Sequence, residues 1–257
     1  MSEEIIDYDE LGMYLGKDFI INDKIRIHQP TIGEIAEWGE QKYYSMASTL
    51  CTIPSDMKSV LEDLGLDYVT LPDFELFIIL TRGLKRKDTS ILLGDLDLSK
   101  MERRVNPVNG KTILINEDED ITIDERIYRI MVGYIRKLHG FRMKVEKPAT
   151  KTVRKILIQL DREERAKKKN SSYSSQLKYL ISAMMRYPGF KYKTNELYQC
   201  GLYEFMDEVK GAAIYVSSTA LLKGMYSGMI DTKGINKKDL DWMRDPEEKE
   251  KKKMEAK

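Results

Sequence analysis

Residues 18–29, DFIINDKIRIHQ, set two short β-branched runs around Asn22-Asp23, a pattern that predicts a hairpin. In its second run Ile25 and Ile27 alternate with Arg26 and His28, so one face is apolar and the other polar. Pro30 ends the strand. Thr31 and Glu34 then fit a capping box, and Ile32, Ile35 and Ala36 begin the buried stripe of a helix expected to run to about Leu50. Further helix starts fall at Ser55-Asp56, at Asp73 before FELFIILTRGL, and at Thr122 or Asp124. Gly65 and Gly140 stand where helices commonly stop.

The stretch from 87 to 123 changes character. A turn at Asn109-Gly110, strands at 112–115 and 121–123 and an acidic turn between them predict a small β insertion. The helix after it repeats Ile127, Ile130, Met131, Tyr134, Ile135 and Leu138 at the spacing of a core-facing stripe. Another break follows at 141–150. Beyond it the chain is apolar at Val153, Ile156, Leu157 and Leu160, then densely charged, then serine-rich, which reads as a projecting helix or a linker. Helices are expected at 174–186, through Leu177, Leu180, Ile181 and Met184, and at 202–227, through Leu202, Phe205, Met206 and Val209. The predicted fold is mainly α, of the α+β class: a helical chain with a short N-terminal β-hairpin and a small β-hairpin insertion. An N-terminal helical lobe over 1–145, a C-terminal helical lobe over 146–244 and a charged tail over 245–257 are the expected divisions, with one continuous domain as the alternative.

Composition narrows the chemistry. The 257 residues carry 43 basic and 42 acidic side chains, so no global field attracts nucleic acid or an anionic membrane. Cys51 and Cys200 lie far apart without CxxC spacing, which excludes a disulfide framework and a zinc knuckle and suits a reducing interior. The acidic N-terminus lacks the form of a secretory signal, and FELFIILTRGL is too short to span a bilayer, so a protein without a membrane segment is expected.

Candidate reactive groups are few. KIRIHQPTIGEIAEWGE, residues 24–40, gathers His28, Glu34, Glu37 and Glu40, yet metal sites unite several ligands and the chain has just His28 and His139. Glu34 already has a capping task, so the stretch reads as a strand-to-helix junction. NEDED at 116–120 lacks calcium-loop spacing and reads as an acidic hairpin tip. In DREERAKKK, 161–169, the acids offset Arg165, Lys167, Lys168 and Lys169. Neither phosphate-binding glycine loops nor nucleophile motifs occur, and no catalytic, metal or cofactor residue is assigned. What stands out is 14 Met and 15 Tyr, concentrated in SAMMRYPGFKYKTNELYQCGLYEFM, 182–206. Met184, Met185, Tyr187, Tyr198, Tyr203, Phe205 and Met206 are therefore the candidate partner-binding residues, against the ordinary alternative that they form core.

The succession of IRIHQPTIGEI, GEQKYY, IPSDMKSVLEDLGLDY, DFELFIILTRGL, DTSILLGDLDLSKM, KLHGF and IDTKGINKKDLDWM resembles a family of phage proteins from viruses of gut Firmicutes. More loosely, it resembles the tail assembly chaperones of long-tailed phages. The likeness spans nearly residues 19–243 and rests on structural junctions, so it carries over no site residues. It implies a non-enzymatic, mainly helical protein of the host cytoplasm that binds the tape measure protein, or other phage tail proteins, and is open to homo-oligomerisation. The other classes in view are a structural tail or connector component of the virion, and a nucleic-acid-binding accessory protein using Lys167, Lys168, Lys169 and Arg186. The chain is longer than many such chaperones, and its β insertion departs from their pattern.

Overall fold

A computed structural model describes residues 8–169, 171–228 and 234–246. A short helix α1 (Glu10–Tyr14) precedes the hairpin of β1 (Phe19–Ile20) and β2 (Arg26–Ile27). Asn22 shapes its turn, its side chain accepting from the amides of Lys24 and Ile25. The capping box forms as expected: Thr31 Oγ1 accepts from Glu34 N–H at 3.1 Å, and Glu34 Oε2 accepts from Thr31 N–H at 2.7 Å.

The helix that follows is two helices. Gly39 takes φ 96°, a backbone conformation that favours glycine, and separates α2 (Ile32–Trp38) from α3 (Glu40–Cys51). Ile32 and Ile35 are buried, but Ala36 faces outward. Next come α4 (Lys58–Asp63), entered through a 3-10 turn at Pro54–Asp56, then α5 (Asp73–Thr81) and α6 (Arg86–Leu93). α6 narrows the β insertion placed at 87–123, since the first part of that stretch is helical and buries Ile91, Leu92 and Leu93.

The insertion proper has three strands rather than two. β3 (Glu102–Val105), β4 (Thr112–Asn116) and β5 (Ile121–Ile123) form an antiparallel sheet in that order. β3, ERRV, has no apolar alternation; it pairs with β4 through Arg103↔Leu114 and Val105↔Thr112. The acidic tip is the β4–β5 turn, as expected.

α7 (Glu125–His139) is the axis of the core. Asp124 caps it by accepting from Ile127 N–H at 2.8 Å, and Gly140 ends it in the left-handed conformation. Met131, Val132 and Ile135 have no exposed surface. Each such burial contributes about 1.5–3 kcal/mol against solvent exposure. Tyr134 fastens the N-terminal hairpin to this helix: Phe19 stacks on its ring at 4.3 Å, and Gln29 Nε2 donates to its hydroxyl at 2.7 Å.

Beyond the extended segment 141–148 lie α8 (Lys151–Lys169), α9 (Gln176–Arg186), α10 (Thr194–Gln199) and α11 (Leu202–Tyr226), then a 3-10 turn at Lys237–Leu240. The main core does not divide at the break near 145. Leu177, Met184, Leu197, Leu202 and Phe205 join the same buried cluster as Ile35, Tyr43, Phe77 and Ile135. Of the expected charged tail, residues 247–257 lie outside the described residues.

His139 packs at the edge of this core, against Tyr43 and Phe141. Its Nδ1 lies 2.7 Å from the Ile135 carbonyl and so carries the proton, leaving Nε2 to accept from Tyr43 O–H at 2.6 Å. Burial, only partly opposed by that carbonyl, drives its pKa from 6.5 down to about 4. The folded state thus excludes a proton that the unfolded chain binds between pH 6.5 and 4. The stabilisation is complete above pH 6.5 and is lost as pH falls toward 4. Urea unfolding at pH 7 and pH 5 is expected to show that His139→Leu loses about 2 kcal/mol less stability than wild type over that interval; equal losses would remove the assignment.

Candidate functional site

The strand-to-helix stretch does bring acids to its histidine. His28 Nδ1 lies 2.7 Å from Asp18 Oδ1, and Nε2 lies 3.3 Å from both oxygens of Glu34. Burial acts to raise the Glu34 carboxyl, but bonds from Thr31 and His28 outweigh it and hold the group below its ordinary value. Glu34 is thereby shared between the helix cap and His28, so the cluster ties the hairpin to α2. Glu37 instead accepts from the Tyr198 hydroxyl, and Glu40 from Leu177 N–H at 2.9 Å. The four side chains of this stretch do not converge. Among the described residues no group of three or more His, Cys, Asp or Glu is arranged to hold a metal ion. Burial pushes the Cys51 thiol up to about 12, with Arg136 opposing, and raises Cys200 as well, so neither is primed as a thiolate.

The predicted partner-binding residues separate. Phe205 is wholly buried and Met184 nearly so, which corrects their assignment to a contact surface: both face the core from the inner sides of α11 and α9. Tyr187, Tyr203 and Met206 are half-buried against the same core. Met185 and Tyr198 are exposed. Tyr198, however, has a structural partner, because its ring lies directly over Gly33 where any Cβ would intrude. Adaptable residue types alone do not distinguish core from surface; their helical phase does.

Among the described residues, two helices carry apolar side chains on a face outside the core. The first is the outer part of α11, residues 211–226, GAAIYVSSTALLKGMY, whose one charge is Lys223. It extends about 24 Å. Charges stop at Lys210 on the inner part, after Glu204, Asp207 and Glu208. One side of the outer part is covered by the segment near the 3-10 turn: Ser218 Oγ donates to Asp239 O at 2.8 Å, and Trp242 meets the Tyr215 ring edge-on at 5.8 Å. Ala213, Val216 and Ala220, spaced as one helical stripe, are open, with Val216 54% exposed. The signal was legible as sixteen residues with one charge and no amphipathic period. Such a helix is normally buried all round.

The second surface is on α8, the helix that forms where a projecting helix or a linker was expected. The packed face is polar: Asp161 accepts from Ser59 N–H and Oγ at 2.9 and 2.5 Å, Arg154 bonds Glu62 and Asp67, and Arg162 bonds Asp63 at 2.6 Å. Ile158 is the helix's one buried residue, set against Leu61, Tyr68 and Leu76. Val153, Ile156 and Leu160 point away, and Leu157 is half-buried. Leu157, Leu160, Phe141 and Met143 line a cleft of about 800 Å³ that also receives Lys58, Arg165 and Lys168. The charged run 161–169 is helix, not linker, and its Arg162 and Arg165 are occupied by acids.

No protein-family model, curated protein or solved structure matches this chain. No helix among the described residues is long and apolar enough to cross a membrane.

The α2–α10 contact can be tested directly. Gly33→Ala is expected to destabilise the protein by about 1–3 kcal/mol through overlap with the Tyr198 ring. Combining it with Tyr198→Ala is expected to cost less than the sum of the two single changes, because the second removes the obstruction. Additive losses in thermal unfolding would show that the ring does not limit this position.

Proposed function

We propose that this chain is a non-enzymatic binding protein that takes up apolar helices of another polypeptide, in the manner of the tail assembly chaperones of long-tailed phages, with the tape measure protein as its partner in the host cytoplasm. The observation that carries this reading is the open stripe of α11 at Ala213, Val216 and Ala220, on a helix whose outer sixteen residues hold one charge. A long helix of a partner offers a matching apolar face, and small residues on α11 let two helices approach closely. The stripe at Val153, Ile156 and Leu160 supplies a second contact of the same kind. Two modest surfaces suit a partner that must be covered and later released, since each is weak alone and their effect multiplies when both engage.

Co-expression with the tape measure protein of the same phage tests this. Wild type is expected to keep that protein in the soluble fraction and to co-purify with it. Val216→Glu combined with Ala220→Glu is expected to abolish both effects while leaving circular dichroism and Tm unchanged, since these positions face solvent. If wild type neither recovers nor solubilises the tape measure protein, the reading fails. Abundant protein in purified virions would move it to the structural tail components.

A further inference from the structure

The outer part of α11 has two sides of different make, and the chain itself covers one of them. Among the described residues, Ala212 is the last apolar residue of this helix packed against the main core, yet Ser218 has no exposed surface. The segment 236–244, NKKDLDWMR, folds back over it. Arg244 closes that fold: its Nη1 lies 3.1 Å from Ser218 Oγ, 3.1 Å from Lys238 O and 3.2 Å from Asp241 O. Ser218 Oγ in turn donates to Asp239 O. Within the segment, Asn236 accepts from Lys238 N–H at 3.1 Å and Asp241 from Met243 N–H at 2.9 Å. Its turns are therefore its own, while its attachment to α11 is narrow. Leu240 is half-buried, but Trp242 meets Tyr215 with 52% of its surface still exposed, and Met243 keeps 73%.

Successive helix residues turn by about 100°. Ile214, Leu221, Leu222 and Met225 therefore share the side of Ser218, whereas Ala213, Val216 and Ala220 lie opposite. The open stripe is mostly small residues. The larger apolar side chains are half-buried on the side that the segment straddles. Leu221, Leu222 and Met225 follow Ser218 at three, four and seven residues, the spacing of anchors in helix docking.

We infer that residues 236–244 form a displaceable strap, which shields the larger apolar side of α11 in the free chain and gives way to the apolar face of a partner's helix. This rests on the reading of α11 as a partner-binding helix and adds an order of engagement. The open stripe makes the first, weak contact. Release of Arg244 then lets the partner cover Leu221, Leu222 and Met225. A few directed bonds suit such a strap, because water satisfies the freed guanidinium and carbonyls once it swings out. Ser218 then turns its hydroxyl to the Ile214 carbonyl one turn back.

The probe is an uncharged helical peptide of leucine and glutamine with capped ends and one apolar face, followed by titration calorimetry. A strap closed about nine-tenths of the time lowers apparent affinity about tenfold. Arg244→Ala in the full chain is accordingly expected to bind the peptide about tenfold more tightly than wild type, with circular dichroism and Tm unchanged. Ser218→Ala breaks the same contact from the helix side and is expected to give the same gain. The double variant is expected to gain no more than either change alone. With Trp38→Phe, Trp242 is the one tryptophan left, and its quenching by acrylamide is expected to rise when the peptide binds. Equal affinity of wild type and Arg244→Ala, or binding to neither, overturns the inference; so do additive gains, or peptide binding that leaves Trp242 quenching unchanged. If the tenfold gain holds but the tape measure protein co-purifies with neither form, the partner proposed above is wrong and the strap stands.

Discussion

Two backbone hydrogen bonds join the halves of this chain. Ile32 N–H donates to Cys200 O at 2.9 Å, and Leu202 N–H donates to Pro30 O at 3.0 Å, closing a bridge between Thr31 and Gly201. Thr31 is the cap of α2 and Gly201 the cap of α11, so both helices start from the same point. Each bond contributes only about 1 kcal/mol net, but leaving such buried groups unpaired would cost more. The bridge fixes where α11 begins. With Leu202 and Phe205 anchored in the core one turn later, the direction of the remaining helix is set, and its outer part is carried beyond the cluster that α7 organises. The open stripe of α11 thus follows from how its base is held.

α8 shows a different division of labour. A helix that turned its apolar stripe inward would gain burial but would leave Asp161 and Arg154 without their partners on α4 and the loop after it. Here the charged side is inward, and Asp161 is the centre of that contact. Burial acts to raise its carboxyl, yet Ser59 and Arg165 outweigh this and hold it below the ordinary range. Hydrogen bonds to a charged group are stronger than neutral ones and more demanding in geometry. They orient α8 by rotation as well as by position, and the price is an apolar stripe exposed to water.

The parts of the fold that were legible in the sequence are those where one local rule had no competitor. Thr31 and Glu34 satisfy each other within a single turn, so their capping box needed no tertiary information. The α7 stripe repeats over four turns, which averages away ambiguity. Gly39 was missed because a lone glycine inside a helical pattern is usually tolerated. β3 was missed because ERRV is a solvated edge and has no buried face to create alternation. On α8 the apolar positions Val153, Ile156 and Leu160 do not lie on the packed side: an apolar stripe marks the buried face only when the polar face lacks better partners. Among the candidate contact residues, Met184 and Phe205 have the composition of a surface but the phase of a core.

Neither open surface is explained by the fold's own stability. Burying Val216 and its neighbours would add to the hydrophobic term, and the chain has the means to do so, as the Trp242–Tyr215 contact on the adjacent side of α11 demonstrates. An exposed apolar stripe also carries a standing risk of self-association. Small residues at Ala213 and Ala220 limit that risk, because they offer little apolar area to a random collision. They still permit close approach by a helix that fits along their length. Discrimination of this kind comes from shape over several turns rather than from any strong single contact, and it is what the proposed helical partner would require.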